Sequence, residues 1–365
     1  RAALAGRLGG DEFMLLVPLI SDQKHIEDIA EEIRDSLLVP FSLNGSIAHI
    51  GVSIGISRYP LDAENKDGLI DCADMAMYEA KAGGKNTYRF YNGAIAESAA
   101  QTMRIEAALK SSIDNNELSL LYQPKVNLIT GEYNGSEALL RWHNKDLGDM
   151  RPIDFISLAE KSKVIHAIDE WVLAEVCKTI SQWLERGINP GRIAINMSAK
   201  QIQQTDLMDK MLPIIERYGT PCEYLEFEIT ESSALDHMEV VVANVQKIRE
   251  RNIHVTMDDF GAGHSSLQLL VNCKLDSVKI DQTLINNINQ HERYQSIVRS
   301  IINLADTLDI QSVAEGIETY EQLHLLSQFN CQNGQGYYFS KPINAYSIEH
   351  YMVEDHTRER VRQQR

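Results

Sequence analysis

The sequence is short of three things, and each shortage removes a class of protein. Cysteine occurs five times in 365 residues, at positions 72, 177, 222, 273 and 331, with no Cys-x-x-Cys pair. An odd, scattered set builds neither a disulfide framework nor a zinc site, and reads as reduced thiols in a cytoplasmic protein. No apolar run approaches the roughly 18 to 20 residues that a membrane span needs, and no secretory leader is visible. Any sensory or membrane region upstream would lie outside these residues. Basic residues are scarce as well: 35 Lys and Arg face 52 Asp and Glu, a formal charge of −17. That balance disfavours duplex nucleic acid, whose binding relies on cationic side chains against phosphates. An anionic substrate stays open, because bound divalent cations reverse the local sign.

What is present falls into two patterns. Residues 1–92 read as one unit, with a short strand at 13–17 and a helix over 22–38 whose apolar positions are Ile26, Ile29, Ala30, Ile33 and Leu37. A strand over 49–60 follows, then a helix over 71–86 stopped by Gly83-Gly84. Residues 93–116, rich in Ala, Ser and Glu and free of Pro, predict a solvated helical connector.

From 117 to 350 short apolar runs recur: LSLLYQP, GSEALLRW, RIAINMS, LEFEIT, HVTMDDF, SVKID and SVAEGIE. Amphipathic helices separate most of them. One spans 169–186, with Val172, Leu173, Val176, Ile180 and Leu184 inward and Gly187 as its stop. Another spans 291–309, with Ile297, Val298, Ile301, Ile302 and Leu308 inward. Strand and helix alternating this often predict an α/β fold with a parallel sheet, at the length of a (β/α)8 barrel. Residues 351–365 form a tail.

Almost every expected strand finishes in an acid or amide: Glu137, Asn196, Glu228, Asp258 with Asp259, Asp281 and Glu315. Barrel sites are built at the C-terminal mouth, where strand ends distant in sequence converge. Any one of these residues is more often a helix N-cap than a ligand. The full set, with few basic residues to neutralise it, is hard to explain as caps. Oxygen donors without thiolates suit a hard cation such as Mg²⁺ or Mn²⁺. Two such ions, roughly 3.5 to 4 Å apart, clamp the attacking and leaving oxygens of a phosphate ester. The adjacent aspartates of VTMDDFG then make sense if the strand ends there and both turn into one pocket.

At this point the residues resemble a known family. Glu137-Ala138-Leu139 within SEALLRW is similar to the signature of EAL-domain cyclic di-GMP phosphodiesterases. The likeness continues through Gln123-Pro124, Asn196-Met197-Ser198, Glu228-Ile229-Thr230-Glu231, Asp258-Asp259-Phe260-Gly261, Lys279-Ile280-Asp281, Glu315-Gly316-Ile317-Glu318 and Gln335-Gly336-Tyr337. The first unit resembles the C-terminal part of an α+β GGDEF diguanylate cyclase domain. Gly9-Gly10-Asp11-Glu12-Phe13 stands at that family's substrate-binding turn, and Asp74, Met77, Tyr78, Ala80 and Lys81 match its closing helix.

The resemblance implies a TIM-like barrel and a two-metal site of Mg²⁺ or Mn²⁺ that opens cyclic di-GMP to linear pGpG. Glu137, Asn196, Glu228 and Asp258 would bind one metal, with Asp258 bridging to a second held by Asp259. Lys279 would orient the attacking water and Glu315 would be the general base. Asp281 would position the second metal or water, and Gln335 and Glu318 would support substrate and water. Gln123, Leu140 and Arg141 would contact substrate. Glu231 would pin the loop that links metal binding to dimerisation, so a homodimer through the barrel is implied. Gly9, Gly10, Asp11, Glu12 and Lys81 would bind GTP.

The GGDEF likeness lacks the upstream metal-binding aspartate, and the aspartate of that family's inhibitory Arg-x-x-Asp would fall at Ala3. Cyclase activity is therefore not assigned to these residues, and a regulatory role through GTP is expected instead. A catalytically silent cyclic di-GMP receptor is the competing reading of the barrel. A bifunctional cyclase and phosphodiesterase is a third, for the full-length protein. Silent barrels usually lack a ligand acid, the lysine or the base, and all are present here.

Overall fold

Short strands alternating with amphipathic helices bury both faces of each strand when the sheet closes on itself inside a ring of helices. The computed structural model describes residues 3–18, 20, 22–43, 46–230, 233, 237–262 and 267–353. The chain divides into two units, residues 1–104 and residues 105–365. The second unit holds the barrel. Its strands are β1 (Leu118–Asn127), β2 (Tyr133–Asn144), β3 (Arg192–Asn196) and β4 (Leu225–Thr230), then β5 (His254–Phe260), β6 (Ser277–Ile280), β7 (Gln311–Ala314) and β8 (Asn333–Gly334). They are hydrogen-bonded in the order β3-β4-β5-β6-β7-β8-β1-β2, and a further pairing of β2 with β3 closes the ring.

The expectation of a parallel sheet needs correction at one strand. β1 runs antiparallel to both β8 and β2. Only residues 128–132 join β1 to β2, whereas a parallel crossover needs a dozen or more. A chain that short can only fold back. β8 is two residues long, so it left no apolar run in the sequence.

Register decides what fills the ring, because side chains two apart share a face and aligned partners point the same way. Gln123 aligns with Glu137, Asn196 with Glu228, Glu228 with Thr256, Thr256 with Ser277, and Val313 with Asn333. An ion pair from Lys279 on β6 to Glu137 on the non-adjacent β2 puts that face inside. The other face carries Val126, Ala138, Ile193, Phe227, Val255, Met257 and Val278, all buried, toward the surrounding helices. Barrel interiors are ordinarily layered with branched aliphatic side chains. This interior is mostly polar, and much of it is charged.

The helices follow the sequence pattern with shifted ends. Ile165–Glu185 begins earlier than expected, buries Val172, Leu173, Val176 and Ile180, and stops before Gly187 at φ +75°. Glu292–Thr307 buries Val298, Ile301 and Ile302. Ile297 and Leu308, expected inward, are exposed.

In the first unit, Leu4–Gly9 and Glu12–Leu16 form an antiparallel hairpin. The Arg7 guanidinium clamps its turn by donating to the Gly10 carbonyl at 2.6 and 2.9 Å. Helix Gln23–Leu38 is capped by Asp22. Helix Lys66–Ala82 starts before the expected position 71, because the Asn65 side chain accepts from the Gly68 N–H and caps it there. The expected strand over 49–60 narrows to Ile54–Ile56, paired in parallel with Tyr88–Phe90. Helix Gly93–Leu109 occupies most of the expected connector, but it is not solvated throughout as expected, because Ile95, Ile105 and Leu109 are buried. Among the described residues, no helix is long and apolar enough to cross a membrane.

Candidate active site

Adjacent side chains in a regular strand point to opposite faces, so Asp258 and Asp259 need a break in regularity to meet. The register of β5 against β6 shifts between Met257 and Phe260, and Asp259 takes φ +56°. Aspartate tolerates that left-handed conformation better than most residues, and such bulges re-aim side chains beside active sites. The strand therefore does not end at Asp258, as the sequence suggested, but continues through the irregularity to Phe260. Asp258, Asp259 and Glu315 each present a carboxylate oxygen within 4.8 Å of the others.

Lys279 is the hub. It is fully buried, and its Nζ lies 2.6 Å from Glu315 Oε1 and 2.8 Å from Glu228 Oε2. Asp258 Oδ1 is 3.2 Å away and Glu137 Oε2 3.4 Å. The second oxygen of Glu137 accepts from Asn196 Nδ2 at 2.7 Å, which leaves the Asn196 carbonyl oxygen as its donor for a cation. Gln335 Nε2 donates to Glu137 Oε2 at 2.6 Å and to Glu315 Oε1 at 3.2 Å. Among the described residues, Gln335 Oε1 is buried without a hydrogen-bond partner. Gly336 holds Gln335 in place: it has φ +158°, and a Cβ there would stand 2.1 Å from the Ile317 carbonyl oxygen. No other residue fits that approach.

One ammonium cannot neutralise four carboxylates, and the proton affinities record the excess. Burial pushes the Glu315 carboxyl up to about 8, with Lys279 opposing and Asp258 and Glu137 adding to the rise. Burial likewise holds Glu228 well above the usual carboxylate range despite Lys279, with Glu137 and Asp258 adding to the effect. Glu137 goes the other way: burial resists ionisation, but Lys279, Gln335 and Asn196 together hold its carboxyl low. Asp259 is raised by burial and by the charges of Asp258 and Asp281. Burial would lower the Lys279 ammonium, yet Asp258, Glu137, Glu228 and Glu315 raise it well above the ordinary lysine range. The donor set is all oxygen, acidic and crowded. It fits hard divalent cations, which would supply the missing positive charge.

Other residues singled out in the sequence stand elsewhere in the second unit. Asp281 is buried and accepts from the Thr283 N–H at 2.8 Å, capping helix Gln282–Asn286. The Gln123 amide donates to the Ser340 carbonyl at 3.2 Å. Arg141 donates to the Leu140 carbonyl at 2.8 Å. Burial lowers the Arg141 guanidinium while Tyr337 and Glu137 oppose, so it lies within electrostatic reach of Glu137. Leu140 packs against the core. Glu318 is exposed, and its N–H donates to Gln322 Oε1 at 2.7 Å. Glu231 lies outside the described residues. In the first unit, Gly9, Gly10, Asp11 and Glu12 make the exposed hairpin turn, and Lys81 is exposed in the last turn of Lys66–Ala82.

Sequence reasoning missed a second polar level below the first. Lys125 Nζ lies 2.8 Å from Glu226 Oε1 and 3.4 Å from Glu228 Oε1, and the Thr256 hydroxyl donates to Glu226 Oε1 at 2.6 Å. The signal was there, since Lys125 follows Gln123 by two and Glu226 precedes Glu228 by two. Asp169 was missed as well. Burial pushes its carboxyl up to about 7 against the Ser198 hydrogen bond, which is 2.6 Å long. Ser198, two residues after Asn196, caps the short helix Ala199–Ile202. At the opposite rim, a cavity of about 410 Å³ is lined by Arg192, Arg249 and His254 and by Asp276, Asp306 and Asp309. Those charges largely cancel, and Arg249 already grips Asp276 at 2.8 Å.

The model of the EAL domain family matches residues 106–342, and that of the diguanylate cyclase GGDEF domain matches residues 1–87. Over 350 residues the chain is 32% identical to cyclic di-GMP phosphodiesterase NbdA of Pseudomonas aeruginosa, covering 96% of this chain and 44% of that protein. Over 343 residues it is 31% identical to cyclic di-GMP phosphodiesterase PdeR of Escherichia coli, covering 94% and 51%. The chain thus spans about half the length of these curated relatives. Among solved structures, the PaMucR phosphodiesterase in its c-di-GMP complex aligns with a TM-score of 0.64 at 33% identity, over 67% of this chain and 99% of that one. The match takes in every strand of the barrel and every acid at its mouth, and the chain belongs to the EAL domain family.

Proposed function

We propose that this chain hydrolyses cyclic di-GMP to linear pGpG, using two divalent cations, Mg²⁺ or Mn²⁺, at the barrel mouth. One observation carries the reading: a buried lysine shared by four carboxylates from separate strands, with more acid than it can neutralise. The names of the NbdA and PdeR relatives support the substrate.

Glu137, Asn196, Glu228 and Asp258 would hold one cation, and Asp258 with Asp259 the other, with Asp281 close by. Bound there, the cations would supply Lewis acidity at the phosphate and make a water easier to deprotonate. Glu315 takes the proton of the attacking water, and its raised proton affinity suits a base working near neutral pH. Lys279, fixed by four carboxylates, donates to that water and orients it. Gln335 Oε1 accepts its second hydrogen. The water oxygen bonds to one phosphorus in line, the bond to the 3′ oxygen breaks, and that oxygen leaves with a proton. Arg141, Gln123 and Leu140 contact the phosphate and guanine portions, Glu318 supports the substrate, and Glu231 anchors the loop between metal site and dimer contact.

The test is product formation from cyclic di-GMP with Mg²⁺ or Mn²⁺, repeated with Glu137→Ala and Glu315→Gln. Each variant is expected to lose about 10²-fold or more in rate. Binding without turnover in the unaltered chain would leave a receptor, and consumption of GTP a cyclase. Ca²⁺, larger and tolerant of irregular coordination, is expected to occupy the mouth without supporting turnover.

The first unit is read as regulatory, in a cytoplasmic homodimer joined through the barrels. GTP bound at the Gly9-Gly10-Asp11-Glu12 turn, with Lys81, would alter the hydrolysis rate. Phosphodiesterase rates of the full-length protein with and without GTP test this, and equal rates would remove it.

A further inference from the structure

Below the mouth the barrel holds a second buried ammonium that the reaction scheme does not use. Lys125 is 5% exposed. Its Nζ reaches Glu226 Oε1 at 2.8 Å and Glu228 Oε1 at 3.4 Å. Glu228 is therefore gripped at both oxygens, by Lys125 on Oε1 and by Lys279 on Oε2 at 2.8 Å. Glu226 is itself fixed by the Thr256 hydroxyl at 2.6 Å, and Thr256 is bonded in turn to Ser277.

A plain structural role explains this poorly. Replacing a buried ion pair with packed apolar side chains is often neutral or stabilising, and barrels usually fill this level with aliphatic residues. If Lys125 served only to satisfy Glu226, it would have no reason to lie against Glu228 as well. What the contact does achieve is orientation: a carboxylate held at one oxygen from below presents the other to the mouth. Partners outside the ligand shell typically govern metal affinity in this way, and losing one costs about 10- to 100-fold.

We infer that Lys125 is a positioning residue for Glu228, and that its grip on Oε1 sets how tightly the barrel mouth holds a divalent cation. The inference rests on the hydrolytic reading of that mouth. Glu226 serves Lys125, not the cation, so its charge is dispensable as long as Lys125 stays in place.

The experiment is direct Mn²⁺ binding to the full chain without substrate, followed by electron paramagnetic resonance of free Mn²⁺. Unaltered protein is expected to bind Mn²⁺ and Glu137→Ala to bind it far more weakly. If the unaltered protein binds none, the inference falls together with the reading beneath it. Lys125→Met is expected to raise the Mn²⁺ dissociation constant about 10-fold. Lys125→Met/Glu226→Gln removes the pair without orphaning a carboxylate, so it carries the test even if the single variant fails to fold. It should show the same weakening. Glu226→Gln alone, whose amide oxygen still accepts from Lys125, should stay within about two-fold of the unaltered protein. Mn²⁺ binding by the double variant equal to that of the unaltered protein would overturn the inference while leaving the hydrolytic reading intact. Equal weakening by Glu226→Gln and the double variant would overturn it too, because the pair would then act only as packing.

Discussion

The barrel interior carries a buried lysine at each of two levels, and only the lower one is matched by nearby acids. At the lower level Lys125 takes Glu226 at 2.8 Å and reaches up to Glu228 at 3.4 Å, and the Thr256 hydroxyl donates to the same Glu226 oxygen. At the upper level Lys279 faces Glu137, Glu228, Asp258 and Glu315 together. The same strands supply both, with residues two apart: Glu226 and Glu228, Thr256 and Asp258, Ser277 and Lys279. Residue type alone does not separate them, for both levels are built from lysine, carboxylate and hydroxyl or amide. The sum of charge does. A closed low-dielectric interior tolerates ions that cancel locally, whereas an excess of acid must bind protons or cations. The lower level behaves as a polar core and the upper one as a site awaiting charge.

The sharpest way to break that contrast is to remove the upper lysine. Lys279→Met would leave Glu137, Asp258 and Glu315 without the ammonium they share and Glu228 with Lys125 alone, and unpairing a buried charge typically costs about 3 to 5 kcal/mol. Urea unfolding in EDTA should show a loss of that order. Added Mn²⁺ should recover part of it, since cations replace the missing charge. A loss that Mn²⁺ cannot touch would mean the mouth does not accept cations in place of the ammonium.

A second, smaller effect follows from Glu315, whose carboxyl burial pushes up to about 8. An unfolded glutamate titrates near 4.3, so the folded chain holds the extra proton between those values. The stability this contributes is fully present below about 4.3 and is lost as pH rises through about 8. Cations compete with that proton and bind more tightly as it leaves. The rise in Tm on adding Mn²⁺ should therefore be larger at pH 8.5 than at pH 6. Equal rises at both pH values would show that no raised carboxyl participates in cation binding.

How much of this was legible depends on where each residue sits in its strand. Glu228, Asp258 and Glu315 were readable because barrels gather strand ends at one mouth, whereas Glu137 stands fifth in a twelve-residue strand that runs on beyond it. Lys125 and Glu226 sit further down, where aliphatic residues are usual, and a mid-strand charge reads as an exposed face until register puts it inside. Asp281 shows the opposite difficulty. It caps a helix and also stands near enough to raise Asp259, and a cap and a site residue leave the same trace in sequence. The reversed direction of β1 was encoded in the short link to β2, but β8 has two residues and no hydrophobic signature. The join of Asp258 and Asp259 depended on a left-handed φ that aspartate permits without announcing it.

The smallest expected effect is the most discriminating between the levels. Thr256 is fully buried, with its hydroxyl on Glu226 and Ser277. Thr256→Val keeps the shape and removes both bonds. Glu226 keeps Lys125, and Ser277 keeps His254 Nε2 at 3.2 Å, so the loss should be near that of ordinary hydrogen bonds, about 1 to 2 kcal/mol in urea unfolding. Asp258 lies two residues along the same strand, yet Mn²⁺ affinity should not change, because the threonine acts on the acid that Lys125 already balances. Stability would fall while cation binding holds. If Mn²⁺ binding fell along with stability, the hydroxyl on Glu226 would matter to the mouth as much as Lys125 does, and the charge of Glu226 would no longer be dispensable to cation binding.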